Sequence, residues 1–286
     1  MARPRGVPVT GPPAWREVDA VVFDLDGTLY ETTPAWFGVY AEEVAGRARI
    51  DAAALEREVR AVLAGERPLR LGDFYDPDAD LVVRTRAWQP DTAVTWYGTP
   101  APLPSAVRRD EPLPWTTGLV YVGDAFQAFA AAAAHAGAGP AARAEAFVAV
   151  RRQMIADERT FAPAATAAAL ERAFGHAELR ALATNTPEDL GRGLVDRLDA
   201  SSFFTEVRFG VGKPAGLVGL LDEIAQRVAA PPERILCVGD SYWNDVLPAL
   251  AAGCQAVWVD PHASGAHDGV PRVGSLRELQ RDVTEG

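Results

Sequence analysis

The chain has 286 residues, of which 48% are hydrophobic and 23% charged, a globular rather than a disordered composition. That length suggests about two domains and a core large enough to fold without disulfides or structural metals. A formal net charge of −11 argues against a nucleic-acid partner, because backbone phosphates would be repelled and no dense basic run compensates.

Arg108 and Arg109 are the nearest approach to such a run and read as solvated surface charge. The two cysteines, Cys237 and Cys254, cannot build a disulfide framework and lack zinc-ligand spacing. Each lies in an apolar stretch, where a cysteine behaves as a small buried hydrophobe. Residues 1–17 form a proline-punctuated tail, in which Pro4, Pro8, Pro12 and Pro13 interrupt what a signal peptide would need as its apolar core. The most continuous apolar run, Ala125–Ala134, is mostly alanine and far shorter than a membrane span. The expectation is a cytoplasmic protein with no membrane partner; the oligomeric state stays open.

Asp19–Leu25 (DAVVFDL) is a short valine-rich run that fits a buried parallel strand, and it ends in the turn Asp26-Gly27-Thr28. An insertion follows over residues 33–176. Its beginning, Pro34–Gly65, shows helical spacing in Leu55, Val59, Val62 and Leu63 after a capping Asp51. Its end, Gly123–Gly175, is alanine-rich and predicts two or three helices, one carrying His135, to which no catalytic role is given. Between them residues 67–120 read as an irregular, proline-rich subdomain with candidate short strands at Val82–Trp88 and Ala93–Tyr97. Its Trp88, Trp96, Tyr97 and Trp115 either line a pocket or form the subdomain's own core.

Past the insertion a strand–loop–helix pattern recurs. Leu179–Ala183 leads to Thr184-Asn185 and a helix start, with Thr186 as N-cap and Pro187 at the first helical position. Phe203–Phe209 leads through Gly210–Pro214 to a helix over Ala215–Val228. Arg234–Val238 leads to Gly239-Asp240 and a helix over Asn244–Ala252, and Gln255–Val259 is a fifth strand. Such alternation implies an α/β fold, a doubly wound parallel sheet joined by right-handed crossovers. In these sheets ligands bind beyond the carboxyl ends of the strands. The Asp24–Thr28 loop, Thr184-Asn185, Lys213 and the Asp240–Asp245 loop therefore converge on one edge.

Each loop carries usable chemistry. Asp24 and Asp26 flank one residue at a strand end, so one carboxylate is able to attack and the other to donate a proton; a plain surface turn is the simpler alternative. Thr184 and Asn185 offer a hydroxyl and an amide beside a helix N-terminus, a seat for an anion, or else cap the helix. Lys213 is the sole lysine of the chain, where a compact point charge is distinguished from the arginines used everywhere else. Asp240 and Asp245 are hard oxygen donors of the kind that hold magnesium, or else a capping pair.

Together, FDLDGTLY, LATNT, GVGKP and VGDSYWND resemble the four signature motifs of the haloacid dehalogenase (HAD) superfamily, over about residues 18–32 and 177–286. The resemblance implies a Rossmann-like core with a mainly helical cap inserted between the first two motifs. It makes Asp24 the nucleophile and Asp26 the general acid/base. Thr184, Asn185 and Lys213 become the phosphate-binding residues. The Asp24 carboxylate, the Asp26 backbone carbonyl and Asp240 become ligands of Mg2+, with Asp245 supporting the metal from behind. The cap implied by the family closes over the substrate, with hinges at Thr33-Pro34 and Gly175–Glu178, and its Arg84, Arg86, Arg108 and Arg109 stand near the tryptophans in sequence. Tyr242 and Trp243, inside the fourth motif, are expected to pack. Dehalogenase relatives lack a carboxylic acid at the place of Asp26, since halide needs no proton to leave. A phosphatase acting on a small phosphorylated metabolite is therefore expected. A phosphomutase or phosphotransferase shares every motif, and a non-catalytic binding protein is a third reading.

Overall fold

The computed structural model describes residues 17–86, 89–105, 107–109, 113, 118–261 and 270–285. Trp88, Trp115 and all but the last residue of the predicted tail lie outside them. The chain divides into two compact units, one of Met1–Thr32 with Phe161–Gly286 and one of Thr33–Thr160.

The chain opens the first unit with β1 (Ala20–Phe23), buried on both faces, and β2 (Tyr30–Thr32). It then enters the second unit. Helix α1 (Pro34–Ala48) begins on Pro34, whose fixed φ suits a first turn, and buries Trp36, Tyr40, Ala41 and Val44 along one stripe. Helix α2 (Ala52–Leu63) is capped by Asp51, which accepts the Ala54 N–H at 2.9 Å.

Strands β3 (Phe74–Asp76), β4 (Leu81–Arg86), β5 (Gln89–Thr95), β6 (Pro100–Ala101) and β7 (Val120–Tyr121) follow. They form an antiparallel sheet in the order β6-β5-β4-β3-β7, so the segment read as irregular is in good part a sheet. The β4–β5 register shifts between Arg84 and Thr85, where Pro90 lies opposite. Proline has no N–H for the ladder, so a bulge beside it is the expected accommodation. Trp96 is fully buried: its indole N–H donates to Glu58 at 3.1 Å, and its ring stacks on His135 at 4.3 Å. Trp96 is thus a core residue of this unit, while Tyr97 is 76% exposed.

Helices α3 (Ala125–His135) and α4 (Pro140–Ala156) complete the unit. Trp36, Tyr40, Phe126 and Phe129 pack there edge to face or stacked, with Arg151 buried over the Phe126 ring at 5.3 Å.

The chain returns to the first unit on β8 (Phe161–Pro163), antiparallel to β2 with Thr32 opposite Phe161. Helix α5 (Ala167–Phe174), capped by Thr166, also belongs here, and the Phe174 ring meets Phe23 edge-on at 5.5 Å. The boundary therefore falls at 160/161 and not at 176/177. An amphipathic alanine-rich helix carries no mark of which unit it covers, and the second hinge expected at Gly175–Glu178 is inside the first unit.

Then come β9 (Leu179–Ala183), α6 (Glu188–Arg197), β10 (Glu206–Arg208) and α7 (Ala215–Arg227). They are followed by β11 (Ile235–Gly239), α8 (Leu247–Ala251), β12 (Gln255–Val259), β13 (Arg272–Val273) and α9 (Leu276–Glu285). The described strands make a parallel sheet in the order β10-β9-β1-β11-β12-β13, the doubly wound fold expected. From β1 the chain moves outward through β9 and β10, then crosses back to β11 and moves the other way. The switch lies between β1 and β11, whose carboxyl ends carry Asp24 and Asp240. Among the described residues no helix is long and apolar enough to cross a membrane.

Candidate active site

Four strand ends of the first unit bring the predicted residues together. Asp24 follows β1, and its N–H is held by the Val238 carbonyl of β11 at 2.9 Å, which carries the sheet one residue further. The Asp24 carboxylate is buried and its Oδ1 accepts from Lys213 Nζ at 2.5 Å. The same ammonium donates to Asp245 Oδ1 at 2.5 Å and to the Ala183 carbonyl at 3.0 Å, so all three of its protons have acceptors.

Asp245 stands on a π-helical turn, Tyr242–Val246, that replaces the first turn of the predicted Asn244–Ala252 helix. Its other oxygen accepts the Ser241 N–H at 3.1 Å. Asp245 therefore braces both Lys213 and its own loop. Gly239 makes this possible, because a Cβ there would lie 2.4 Å from the Asp245 Cβ.

Asp240 follows β11, with its backbone carbonyl held by the Trp258 indole N–H at 2.8 Å. Its carboxylate rests against Gly27, where a Cβ would meet Asp240 Oδ2 at 1.9 Å. Gly27 also has φ +76°, a conformation costly to any side-chain-bearing residue. The Asp26-Gly27 turn is thus fitted to receive a carboxylate.

Among the described residues Asp24, Asp240 and Asp245 form one acidic cluster, with an oxygen of each within 4.8 Å of the others. Lys213 bonds two of these three carboxylates, those of Asp24 and Asp245. Burial, opposed by Lys213 and reinforced by Asp245 and Asp26, pushes the Asp24 carboxyl up to about 8. Burial works against the charged form of Lys213, but Asp24 and Asp245 outweigh it and hold the ammonium above its ordinary range. An all-oxygen donor set with surplus negative charge fits a hard divalent cation, which would return Asp24 to its ionised form.

Asp26 is placed differently. Its Oδ2 accepts from Thr186 Oγ1 at 2.8 Å and Thr184 Oγ1 at 3.3 Å, and its Oδ1 accepts from the Tyr30 hydroxyl. Thr184 in turn accepts the Thr186 N–H at 3.0 Å. The two acids of one motif thus have different donors: Lys213 on Asp24, and hydroxyls on both oxygens of Asp26.

Asn185 has a structural task that the sequence did not suggest. Its side-chain amide donates to the Lys213 carbonyl at 3.0 Å and accepts the Lys213 N–H at 2.6 Å. That reciprocal clip fixes the Lys213 loop and uses one of the two amide protons. Thr186 departs from expectation: helix α6 starts at Glu188 with Pro187 in the N-cap place, and the Thr186 hydroxyl goes to Asp26. Tyr30 carried no site assignment, and its only sequence signal was its place four residues after Asp26. Tyr242 and Trp243 are buried, the former edge-on to Trp258 at 5.2 Å. Cys237 lines the pocket behind Asp24 together with Leu217 and Val238, and burial raises its thiol well above the ordinary range.

The sequence profile of the haloacid dehalogenase-like hydrolases matches residues 18–253. No curated protein matches the chain in sequence. Among solved structures, the magnesium-bound protein YfnB of Bacillus subtilis, described as a HAD-hydrolase that shows interdomain movement, is 15% identical. It superposes with a TM-score of 0.51 over 94% of this chain and 100% of that one. A chain from Thermotoga maritima described as a β-phosphoglucomutase is 16% identical, with a TM-score of 0.50 over 93% of this chain and 97% of its own. The L-2-haloacid dehalogenase RSc1362 is 17% identical, with a TM-score of 0.49 over 93% and 99%. At such identities the likeness to the YfnB and Thermotoga maritima chains is one of fold.

Proposed function

The chain belongs to the haloacid dehalogenase-like hydrolase family, and we propose that within it the protein is a magnesium-dependent phosphatase. In this reading it hydrolyses a small-molecule phosphate monoester through an aspartyl-phosphate formed on Asp24. The observation that carries the reading is the separation of the two acids: Asp24 lies on Lys213 in the acidic cluster, while Asp26 is held outside it by hydroxyls. Halide departs without a proton, whereas an alkoxide needs one, so a second carboxyl set apart from the nucleophile suits phosphate esters.

The Asp24 carboxylate, Asp240 and the Asp26 backbone carbonyl would hold the magnesium ion. The positive charge of the bound ion would offset the negative charge of the phosphoryl oxygens and the approaching carboxylate. Lys213, braced by Asp245 and by the Asn185 clip, keeps a positive charge beside the attacking oxygen. Thr184, whose bond to Asp26 is long, has a hydroxyl that can turn to a phosphoryl oxygen. An Asp24 oxygen bonds to phosphorus as the ester P–O bond breaks, and Asp26 passes its proton to the leaving oxygen. Water then attacks phosphorus, Asp26 takes the water's proton, and the Asp24 acyl-phosphate P–O bond breaks to release inorganic phosphate. The Thr33–Thr160 unit takes the part of the cap in this reading.

The test is inorganic phosphate release from a broad panel of phosphorylated metabolites, with magnesium or EDTA, for the wild type and Asp24→Asn. The expected result is release by the wild type with magnesium and a loss of at least about a thousandfold with EDTA or in the variant. Release that persists in Asp24→Asn would end the covalent mechanism. Isomerised products without free phosphate would identify a mutase instead.

A further inference from the structure

Asp26 is reached by hydroxyls from two separate parts of the chain. Tyr30, at the start of β2, donates to Oδ1, and Thr186, beyond the end of β9, donates to Oδ2 at 2.8 Å. Both residues are buried. The Tyr30 ring is itself fixed, lying edge-on to Phe161 with centroids 5.9 Å apart. Thr186 is fixed by its N–H bond to Thr184 Oγ1 at 3.0 Å and by its carbonyl, which accepts the Gly210 N–H at 3.1 Å.

A carboxyl gripped at one oxygen still rotates about its last bond. Gripped at both oxygens from different directions, it has its plane and rotamer set. Each hydroxyl both donates and accepts, so such a grip works on the protonated and the ionised acid alike.

We propose that Tyr30 and Thr186 are positioning residues that hold the Asp26 carboxyl in the orientation needed to deliver its proton to the leaving oxygen. The proposal rests on the phosphatase reading and names two residues in its acid step. In that step the Asp24 oxygen–phosphorus bond forms, the ester bond breaks, and the Asp26 proton moves to the departing oxygen. Neither residue touches the phosphate; each acts through Asp26.

A misplaced acid has a signature that a loosened fold lacks. A basic alkoxide depends on the proton and a stabilised phenolate hardly does, so the loss must grow with leaving-group basicity. The variants are Tyr30→Phe, which removes one oxygen and keeps the buried ring, and Thr186→Val, which keeps the shape and removes the hydroxyl. The probes are an alkyl phosphate monoester and p-nitrophenyl phosphate, read as kcat and KM with magnesium present.

For each variant the alkyl ester should lose at least about tenfold in kcat with KM little changed, while p-nitrophenyl phosphate loses less than about threefold. Thr186→Ser should recover most of the alkyl-ester rate. Equal losses on both substrates, or no loss on either, would overturn the positioning role while leaving the phosphatase reading standing. Absence of phosphate release by the wild type from any ester would end both. If Tyr30→Phe fails to fold, the Thr186→Val and Thr186→Ser pair decides the matter alone.

Discussion

The Asp240 carboxylate rests against Gly27, and that contact separates two reasons why a glycine stands there. At φ +76° any side chain would strain the backbone by about 1–2 kcal/mol. A Cβ would also sit 1.9 Å from Asp240 Oδ2, so the carboxylate would have to leave. Gly27→Ala should therefore lower stability by about that strain and also weaken divalent-ion binding. The rise in melting temperature on adding magnesium measures the second effect, and a variant that melts lower but keeps the full magnesium response would refute it. At this scale the motif spacing made Asp24, Asp26, Lys213, Asp240 and Asp245 legible in sequence, because each sits where a strand of the sheet ends. The clip between Asn185 and Lys213 was not legible, since only the folded loop brings the amide against the Lys213 backbone. Thr186 was not legible as a partner of Asp26, because that contact joins residues 160 positions apart; Tyr30 is only four residues from Asp26, but a tyrosine at that spacing does not by itself declare where its hydroxyl points.

Elements differ in how openly the sequence declares them. The valine-rich run of β1 and the apolar β11 and β12 are buried on both faces, so they stand out as continuous apolar stretches between turns. The sheet of the second unit is harder to see, for its strands are two to seven residues long and include Pro90 and Pro100. Pairing partners such as β3 and β7 are also far apart in sequence. The β2–β8 pair was not foreseen at all, yet it determines where the second unit is inserted. Thr32 lies directly opposite Phe161 across an antiparallel pair, so the two ends are a hairpin's width apart. Replacing residues 33–160 with Asn-Gly should close that pair with a two-residue turn of the kind that suits antiparallel strands. The shortened protein should unfold cooperatively and keep a magnesium-dependent rise in melting temperature, because the Asp24, Asp240 and Asp245 cluster lies wholly in the first unit. Loss of cooperative unfolding would show that the first unit needs the second in order to fold.

For the molecule as a whole, the buried acidic cluster ties stability to pH and to metal in opposite directions. Without metal, burial together with Asp245 and Asp26 outweighs Lys213 and moves the Asp24 carboxyl from an ordinary 3.8 up to about 8. Between those values the folded protein holds a proton that the unfolded chain has released. Stability arising from this group must then fall as pH rises through the window, and it is fully present only below about 4. The net charge of −11 adds a general repulsion with the same trend, so the contribution of Asp24 has to be read by difference. Asp24→Asn cannot ionise there, and Lys213 keeps Asp245 as a partner. In EDTA the variant's melting temperature should therefore gain on the wild type steadily from pH 4 to pH 8. Magnesium favours the ionised carboxylate, so its stabilisation of the wild type should grow over the same interval while Asp24→Asn responds weakly throughout. A gap between variant and wild type that stays constant across the window would mean that Lys213 alone keeps Asp24 ionised in the folded protein. In that case the surplus negative charge that invites a cation would rest with Asp240 rather than with the nucleophile.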